Sequence, residues 1–224
     1  MFEHLTLSDL PARSRAVLRE RSSTRPVLWL VEENGAEAVV KDFSRNGFLF
    51  RNTIGRFLVW REEKAYRKLK GLTGVPSLYR VICGFALVME RIHGESLENL
   101  EERKKLPKGY FDDLERVMSA VHGRGVAHCD LKRAPNLLLG SDGKPHVVDW
   151  SASVSRRELP IFPLNLIYRR FLQDDLRAIT KMQLRHCPEE ISPERLAEYY
   201  RRSRAEILIR RIRDAMRELL KKVA

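Results

Sequence analysis

Cysteine is scarce in this chain of 224 residues, and the three that occur are Cys83, Cys129 and Cys187. They are far apart, odd in number and without a C-x-x-C pair, so they favour neither a disulfide framework nor a structural zinc site. This use of cysteine is typical of a protein in a reducing compartment. We therefore predict a cytoplasmic location.

Long apolar runs are also missing from the sequence. No run approaches the roughly 20 residues that a membrane-spanning helix needs, and the first residues lack the basic and apolar regions of a signal peptide. The prediction is a soluble chain, with peripheral attachment to the inner membrane as the alternative. The stretch 159–172, which is apolar and interleaved with Arg169 and Arg170, could serve either as core or as a surface for a bilayer.

Acidic residues are outnumbered, since 42 Lys and Arg stand against 30 Asp and Glu, a formal charge of +12. This excess favours acidic partners, namely phosphorylated substrates, nucleic acid or an anionic membrane surface. Nucleic acid is the least favoured partner because basic and aromatic residues are not interleaved as they are in RNA-binding sheets. With 43% hydrophobic residues, the chain is able to build a core, which excludes intrinsic disorder.

The first ninety residues are patterned as a small sheet that carries one helix. Asn34-Gly35 lies between two apolar runs, which is the strongest short signal for a β-hairpin. A helix-forming stretch follows at 60–69, and a second predicted hairpin joins 78–82 to 85–89. We therefore predict an antiparallel sheet over residues 1–90.

Helices dominate the remainder, residues 91–224. Apolar residues recur at three- and four-residue steps between Phe111 and Val121, which predicts a buried helix that ends near Gly123. The last stretch, 201–224, holds nine basic and three acidic residues and is patterned as a basic helix. Its charged face is either solvated or a docking surface for an acidic partner or a membrane.

Polar residues that could bind a metal or take part in catalysis occur at Asp130, Asn136 and Asp149, next to two short apolar stretches. At a hairpin mouth they would offer oxygen ligands suited to Mg²⁺, which in proteins usually accompanies substrate phosphates. Lys132 would then reach a transferring phosphoryl group, while Asp130 would accept the proton of an incoming hydroxyl.

These motifs resemble those of the protein-kinase-like superfamily, whose catalytic loop reads H-R-D-x-x-x-x-N and whose metal-binding Asp lies in D-F-G. The corresponding stretches are His128-Cys-Asp130 to Asn136, and Asp149-Trp-Ser. The closest resemblance is to small bacterial kinases grouped with lipopolysaccharide (Kdo) kinases and RIO-type kinases, over residues 25–185. It implies an α+β fold, a reduced two-lobe kinase with an antiparallel sheet lobe and a mainly helical lobe.

The resemblance also implies a nucleotide site between the lobes. Lys41 ends a strand as the kinase lysine does and would contact the α- and β-phosphates of ATP. Glu62 would orient that lysine, with Glu63 as the alternative one residue further on. The backbone from Glu90 to Ile92 would receive the adenine.

The same resemblance assigns the chemistry of transfer. Asp130 is expected to be the base and Lys132 to offset the developing charge. Asn136 and Asp149 are expected to hold Mg²⁺, with Mn²⁺ as a possible substitute. The predicted function is transfer of the γ-phosphoryl group of ATP to a hydroxyl acceptor, by a serine/threonine-type protein kinase or a lipopolysaccharide-sugar kinase. The acceptor hydroxyl could belong to a protein, a sugar-lipid or a small molecule.

Several departures from the kinase pattern keep a second function open. Residues 20–27 contain no glycine, so Ser22, Ser23 and nearby backbone amides would have to cover the phosphates. Asn136 lies six residues after Asp130 rather than five, and no A-P-E segment follows Asp149. The alternative is therefore a pseudokinase-like module that binds a nucleotide or a partner without turnover.

Three further side chains are assigned supporting roles. His128 is expected to be a structural histidine beneath the loop, and Cys129 a packed small residue. Asp174 or Asp175 could hold the backbone of the catalytic loop from a buried helix, or could be an ordinary acid near a helix N-terminus.

Overall fold

A computed structural model describes residues 2–101 and 103–200 of the chain. The elements of its amino-terminal lobe are α1 (Leu10–Arg13), β1 (Ser14–Arg19), β2 (Val27–Glu33), β3 (Ala36–Asp42), α2 (Phe48–Phe50), a π-helical turn (Arg51–Gly55), α3 (Arg56–Leu69), β4 (Leu78–Ile82) and β5 (Ala86–Glu90). The five strands form one antiparallel sheet in the order β1-β2-β3-β5-β4.

The predicted hairpin is present between β2 and β3, which pair from Val27 opposite Asp42 to Glu33 opposite Ala36. Asn34 and Gly35 both take positive φ, 52° and 77°, as a two-residue hairpin turn requires. This tight turn sets the register and thereby places Lys41 opposite Leu28 on one side and Leu87 on the other.

Helix α3 lies against the sheet through one apolar side. Val59, Ala65, Tyr66 and Leu69 are buried on it, and Glu62 is the buried charged residue of the same side. The spacing of these residues follows the helical period, so the helix carries a carboxylate into the core with its apolar neighbours.

The second lobe is mainly helical and begins after β5. Its elements are β6 (Gly94–Ser96), α4 (Leu97–Glu101), α5 (Lys108–Gly123), β7 (Val126–Ala127), a 3₁₀ turn (Ala134–Asn136), β8 (Leu137–Gly140), β9 (Pro145–Val147), a 3₁₀ turn (Trp150–Ala152), β10 (Val154–Ser155), a 3₁₀ turn (Arg156–Glu158), α6 (Leu164–His186), a 3₁₀ turn (Pro188–Glu190) and α7 (Pro193–Tyr200). The small strands β6, β8 and β9 form one antiparallel sheet, and β7 pairs with β10. The predicted reduced two-lobe α+β kinase fold is confirmed.

One hydrophobic core extends through both lobes. It joins Val59 and Leu87 of the first lobe to Phe111, Leu114 and Trp150 of the second. Helix α3 also packs against the 3₁₀ turn that begins at Trp150. The lobes therefore share buried apolar surface on one side of the cleft that separates them.

Strand β1 is an element that the sequence patterns did not predict. It is the edge strand of the sheet and its side chains are mostly exposed or half-buried, so it lacks the apolar alternation of a strand with one buried face. The predicted basic helix over 201–224 lies outside the described residues.

Within the residues that the structure describes, no helix has the length and apolar character to cross a bilayer. The stretch 159–172, predicted either as core or as a surface for a bilayer, contains both exposed and buried residues. Ile161 and Phe162 are exposed, at 66% and 75%, whereas Tyr168 is buried in α6. Contact of this stretch with a membrane stays a prediction.

The packing of Trp150 gives a test of the shared core. Trp150 is fully buried, whereas Trp60 of α3 is 52% exposed. We expect Trp150→Ala to lower the free energy of unfolding by about 3–5 kcal/mol because it leaves a large cavity. Trp60→Ala, the matched control, should cost less than about 1 kcal/mol. Urea unfolding of both variants measures the difference, and equal losses would contradict this account of the core.

Candidate active site

A cleft of about 360 Å³ lies between the lobes. Six of the eight residues predicted for the site line it: Lys41, Glu62, Glu90, Ile92, Asn136 and Asp149. Apolar side chains from both lobes form much of the remaining wall, among them Leu28, Val39, Met89 and Leu138. A cleft with apolar walls and a few convergent charged groups is the usual form of a small-molecule site.

The charged centre of the cleft is the ammonium of Lys41. Its Nζ donates to Oε2 of Glu62 at 2.7 Å and to Oδ1 of Asp149 at 2.8 Å. Glu62 comes from α3, and Asp149 follows β9 in the second lobe. The alternative, Glu63, is excluded as the partner of Lys41 because it pairs with Arg67 on the outer side of α3.

These contacts determine the charge of the groups. Burial opposes the charged form of Lys41, but Glu62 and Asp149 outweigh it and raise the pKa of the ammonium. For Asp149, burial alone would raise the pKa, yet the Lys41 ammonium and the hydrogen bonds from Lys41 and Ser151 lower it well below the usual range. At neutral pH the cleft thus holds a lysine cation beside an ionised aspartate.

Asp149 has a backbone conformation suited to its position. Its φ is 63°, in the left-handed region, where Asp is one of the more tolerant residues. Both hydrogen bonds to its carboxylate, from Lys41 Nζ at 2.8 Å and Ser151 Oγ at 2.7 Å, end on Oδ1. Among the bonds of the described residues, Oδ2 is therefore the carboxylate oxygen that remains for a ligand.

The loop over residues 128–136, which the sequence predicts to be the catalytic loop, is held by Asp175 of α6. Its Oδ2 accepts from the backbone N–H of His128 at 2.7 Å, and its Oδ1 accepts from that of Cys129 at 2.9 Å. His122 of α5 lies 3.1 Å from the same carboxylate. Of the two neighbouring acids, Asp175 is the loop anchor, because Asp174 is surface-exposed and pairs with Arg170 at 3.0 Å.

His128 is buried beneath the loop, as predicted. Its Nδ1 accepts from the N–H of Asp130 at 3.2 Å, which assigns the ring proton to Nε2, 3.1 Å from the carbonyl oxygen of Val148. Burial lowers the pKa of this imidazole and favours its neutral form. Burial raises the pKa of the neighbouring Cys129 to about 12, which disfavours the nucleophilic thiolate form.

The extra residue between Asp130 and Asn136 is absorbed by a 3₁₀ turn over Ala134–Asn136. The side-chain Nδ2 of Asn136 donates to the backbone oxygen of Asp130 at 3.0 Å. Asp130 is consequently held on both sides, through its N–H by His128 and through its carbonyl by Asn136. The amide of Asn136 retains Oδ1 as an acceptor for a ligand of the cleft.

Asp130 and Lys132 are not among the described residues that line this cleft. Lys132 lines a second cavity, of about 540 Å³, between the catalytic loop and α6. Asp130 lies 3.6 Å from the guanidinium of Arg133. The structure therefore separates the eight predicted residues into a group of six in the cleft and a pair on the catalytic loop beside it.

The sequence reasoning missed Arg19, which also lines the cleft. It is the last residue of β1 and reaches the site because β1 pairs with β2. Its only sequence signal was its place just before the glycine-free stretch 20–27, and that signal needed β1 to be recognised as a strand.

The sheet lobe, the helical lobe and the buried Lys41–Glu62 pair beside Asp149 define a protein of the protein-kinase-like class. The family model of the RIO domain matches residues 38–196, which is more than half of the chain. The chain therefore belongs to the RIO domain family, a family of kinase-like phosphotransferases.

Curated relatives agree with this membership. The chain is 32% identical over 100 residues to the EKC/KEOPS complex subunit BUD32 of Encephalitozoon cuniculi, covering 44% of this chain and 49% of that protein. It is 26% identical over 145 residues to 3-deoxy-D-manno-octulosonic acid kinase of Xylella fastidiosa, covering 57% of each. CBL-interacting serine/threonine-protein kinase 13 of Arabidopsis thaliana is 39% identical over 77 residues, which are 33% of this chain and 15% of that one. The chain thus spans between about a seventh and three fifths of the length of these relatives.

The role of Asp175 is open to a direct test. We expect Asp175→Asn to lower the free energy of unfolding by about 1–3 kcal/mol, because an amide supplies a single acceptor oxygen for two buried N–H groups. Asp174→Asn is the matched control, since it removes an exposed ion pair and should cost less than about 1 kcal/mol. Chemical denaturation measures the free energy of unfolding of both variants. An equal loss for the two substitutions would exclude Asp175 as the anchor.

Proposed function

We propose that this protein transfers the γ-phosphoryl group of ATP to a hydroxyl group of an acceptor. The observation that carries the proposal is the buried Lys41 ammonium, bonded at 2.7 and 2.8 Å to carboxylates from both lobes inside the cleft. Phosphoryl transfer depends mainly on positioning and charge stabilisation, and this arrangement supplies a fixed cation for the phosphates.

The nucleotide would lie along the cleft with its adenine next to the segment that joins the lobes. The N–H of Glu90 already donates to the carbonyl oxygen of Ser77 at 2.8 Å, so that amide is not available to the base. The remaining backbone groups of 90–92 and the apolar walls formed by Leu28 and Met89 would receive the ring. Lys41 would then contact the α- and β-phosphates, with Glu62 holding its ammonium in place.

The residues present fit a divalent cation. Mg²⁺ in phosphotransferases is bound by one or two protein oxygens together with substrate phosphates, and the cleft offers Oδ2 of Asp149 and Oδ1 of Asn136. No group of three or more His, Cys, Asp or Glu able to hold a metal occurs among the described residues, which agrees with a site completed by substrate. When bound, Mg²⁺, or Mn²⁺ in its place, would neutralise phosphate charge.

The acceptor would approach from the side of the catalytic loop. Asp130, fixed by His128 and Asn136, would take the proton of the attacking hydroxyl as general base. Lys132 lines the neighbouring cavity and would meet an acceptor there, where it would offset negative charge. The acceptor class that we propose is a hydroxyl of a protein, a sugar-lipid or a small molecule, as the names of the curated relatives include protein and sugar kinases.

The cellular setting is part of the same proposal. A cytoplasmic protein with peripheral attachment to the inner membrane would meet both ATP and these acceptors. The basic stretch 201–224 would serve as the docking surface for an acidic partner or a membrane.

The base assignment leads to a first test. Asp130→Asn should lower phosphoryl transfer by about 100-fold or more, because general-base catalysis contributes this much, while nucleotide affinity stays the same. Asp113→Asn, which alters a half-exposed acid on α5, is the control and should retain activity. The assay follows labelled phosphate from ATP into the protein, lipid and small-molecule fractions of a bacterial lysate. Full activity of the Asp130 variant would refute the assignment.

The metal assignment leads to a second test. Asp149→Ala should weaken ATP binding in the presence of Mg²⁺ by about tenfold or more, since it removes a charged ligand of the cation, and should have a smaller effect in EDTA. Calorimetry with and without the metal measures both affinities. An equal loss in the two conditions would contradict a metal role. ATP binding by the unsubstituted chain without transfer to any acceptor would instead support the module that binds without turnover.

A further inference from the structure

The segment between β1 and β2, residues 20–26, lies where the sheet meets the nucleotide cleft and contains no glycine. Two of its backbone amides are already bonded inside the segment. The N–H of Ser22 donates to the carbonyl of Arg25 at 3.1 Å, and the N–H of Arg25 donates to Oγ of Ser22 at 3.1 Å. Pro26 has no N–H at all. These amides are therefore not available to phosphates in this conformation.

Asn46 holds the segment in this conformation from the sheet side. Asn46 is buried, and its Nδ2 donates to the carbonyl of Ser22 at 2.9 Å and to that of Arg25 at 3.1 Å. Turning the amides of the segment toward the cleft would break these bonds inside the protein, which is unfavourable for buried polar groups. With the amides of Ser22 and Arg25 engaged in this way, a hydrogen-bond donor for phosphate from outside the segment is favoured at this end of the cleft.

Arg19 is such a donor. It lines the cleft and is half-buried, and its Nε is inaccessible to solvent without a hydrogen-bond partner among the described residues. Arg19 forms no ion pair with any residue of 2–101 or 103–200. A half-buried cation whose Nε is shielded from water and has no partner among the described residues is better satisfied by an anion, so this position favours an anionic ligand.

Arg19 lines the same cleft as Lys41, Glu62 and Asp149, beside which the phosphates are proposed to lie. Burial lowers the pKa of its guanidinium, the cations Arg25 and Arg133 lower it further, and the carboxylates Asp149 and Glu62 raise it. The two carboxylates that bind Lys41 therefore also interact electrostatically with Arg19. Arg25 and Arg133 add positive charge to the surroundings, which increases the electrostatic attraction for a polyanion.

We propose that Arg19 binds the polyphosphate of the nucleotide and takes the place of the glycine-rich loop amides that this chain lacks. A guanidinium presents a planar set of donors that matches two phosphate oxygens at once. The inference rests on the proposed function, because it assumes that a nucleoside triphosphate occupies the cleft.

The test compares the affinities of the full chain for ATP, ADP and adenosine by calorimetry. Arg19→Ala should weaken ATP and ADP binding by about tenfold or more, the usual effect of losing a hydrogen bond to a charged group. Adenosine, which has no phosphate, should bind with unchanged affinity. Arg19→Lys keeps the charge without the paired donors and should give an intermediate loss.

Arg15→Ala is the matched control, since Arg15 lies on the same strand but is exposed and pairs with Glu32 and Glu37 outside the cleft. It should leave all three affinities unchanged. The melting temperature of each variant without ligand is measured on the same samples. Because the Arg19 side chain has no hydrogen-bond or ion-pair partner to lose within residues 2–101 and 103–200, we expect no decrease for Arg19→Ala.

The outcomes separate this inference from the proposed function. Equal ATP affinity of Arg19→Ala and the unsubstituted chain would overturn the inference and leave the proposed function standing. An equal loss for adenosine and ATP, or a lowered melting temperature that accounts for the loss, would show a structural role and overturn it as well. Absence of ATP binding by the unsubstituted chain would overturn the proposed function together with the inference.

Discussion

The arrangement of the cleft depends on the ion pairs that the buried Lys41 ammonium forms with two carboxylates. Removing a charge from water is costly unless it is paired and hydrogen-bonded, and Lys41 meets this requirement with Glu62 from α3 and Asp149 from the second lobe. Loss of either carboxylate would leave the buried ammonium with one partner instead of two. The helix, the sheet and the segment after β9 are thereby required to meet at one point.

The catalytic loop depends on a second buried charge, the carboxylate of Asp175. It satisfies two backbone amides at the start of the loop, and the neutral ring of His128 and the side-chain amide of Asn136 then hold Asp130 from both sides. Rigid support of this kind is what a catalytic group needs, because small displacements from the productive geometry are costly in rate. The position of Asp130 is therefore set by its polar neighbours His128 and Asn136 and, through the loop backbone, by Asp175.

Much of the site was predictable from the sequence because its residues lie in short motifs beside strong secondary-structure signals. Lys41 ends an apolar strand after an Asn-Gly turn, and Asp149 follows a short apolar run. The sequence predicted Glu62 as the partner of Lys41 with Glu63 as the alternative, and the structure excludes Glu63 because Glu62 is the one that faces the core. The anchor, Asp174 or Asp175, stayed undecided because only the structure shows which of two adjacent helix residues is buried.

Arg19 and Lys132 are two residues whose placement in the structure the sequence did not predict. β1 has no buried face that would produce an apolar alternation, so its last residue could not be assigned to the cleft. Lys132 lies on the same loop as Asn136, yet it lines the cavity beside α6 and not the cleft.

The sequence by itself determined the order of the elements, the hairpin turn and the kinase-like set of charged residues, since each depends on neighbouring positions. Only the tertiary structure decided which carboxylates meet Lys41, how the extra residue before Asn136 is absorbed and that Arg19 lines the cleft. These contacts join residues that are distant in the chain, and their geometry is set by burial and by the need of each buried polar group for a partner.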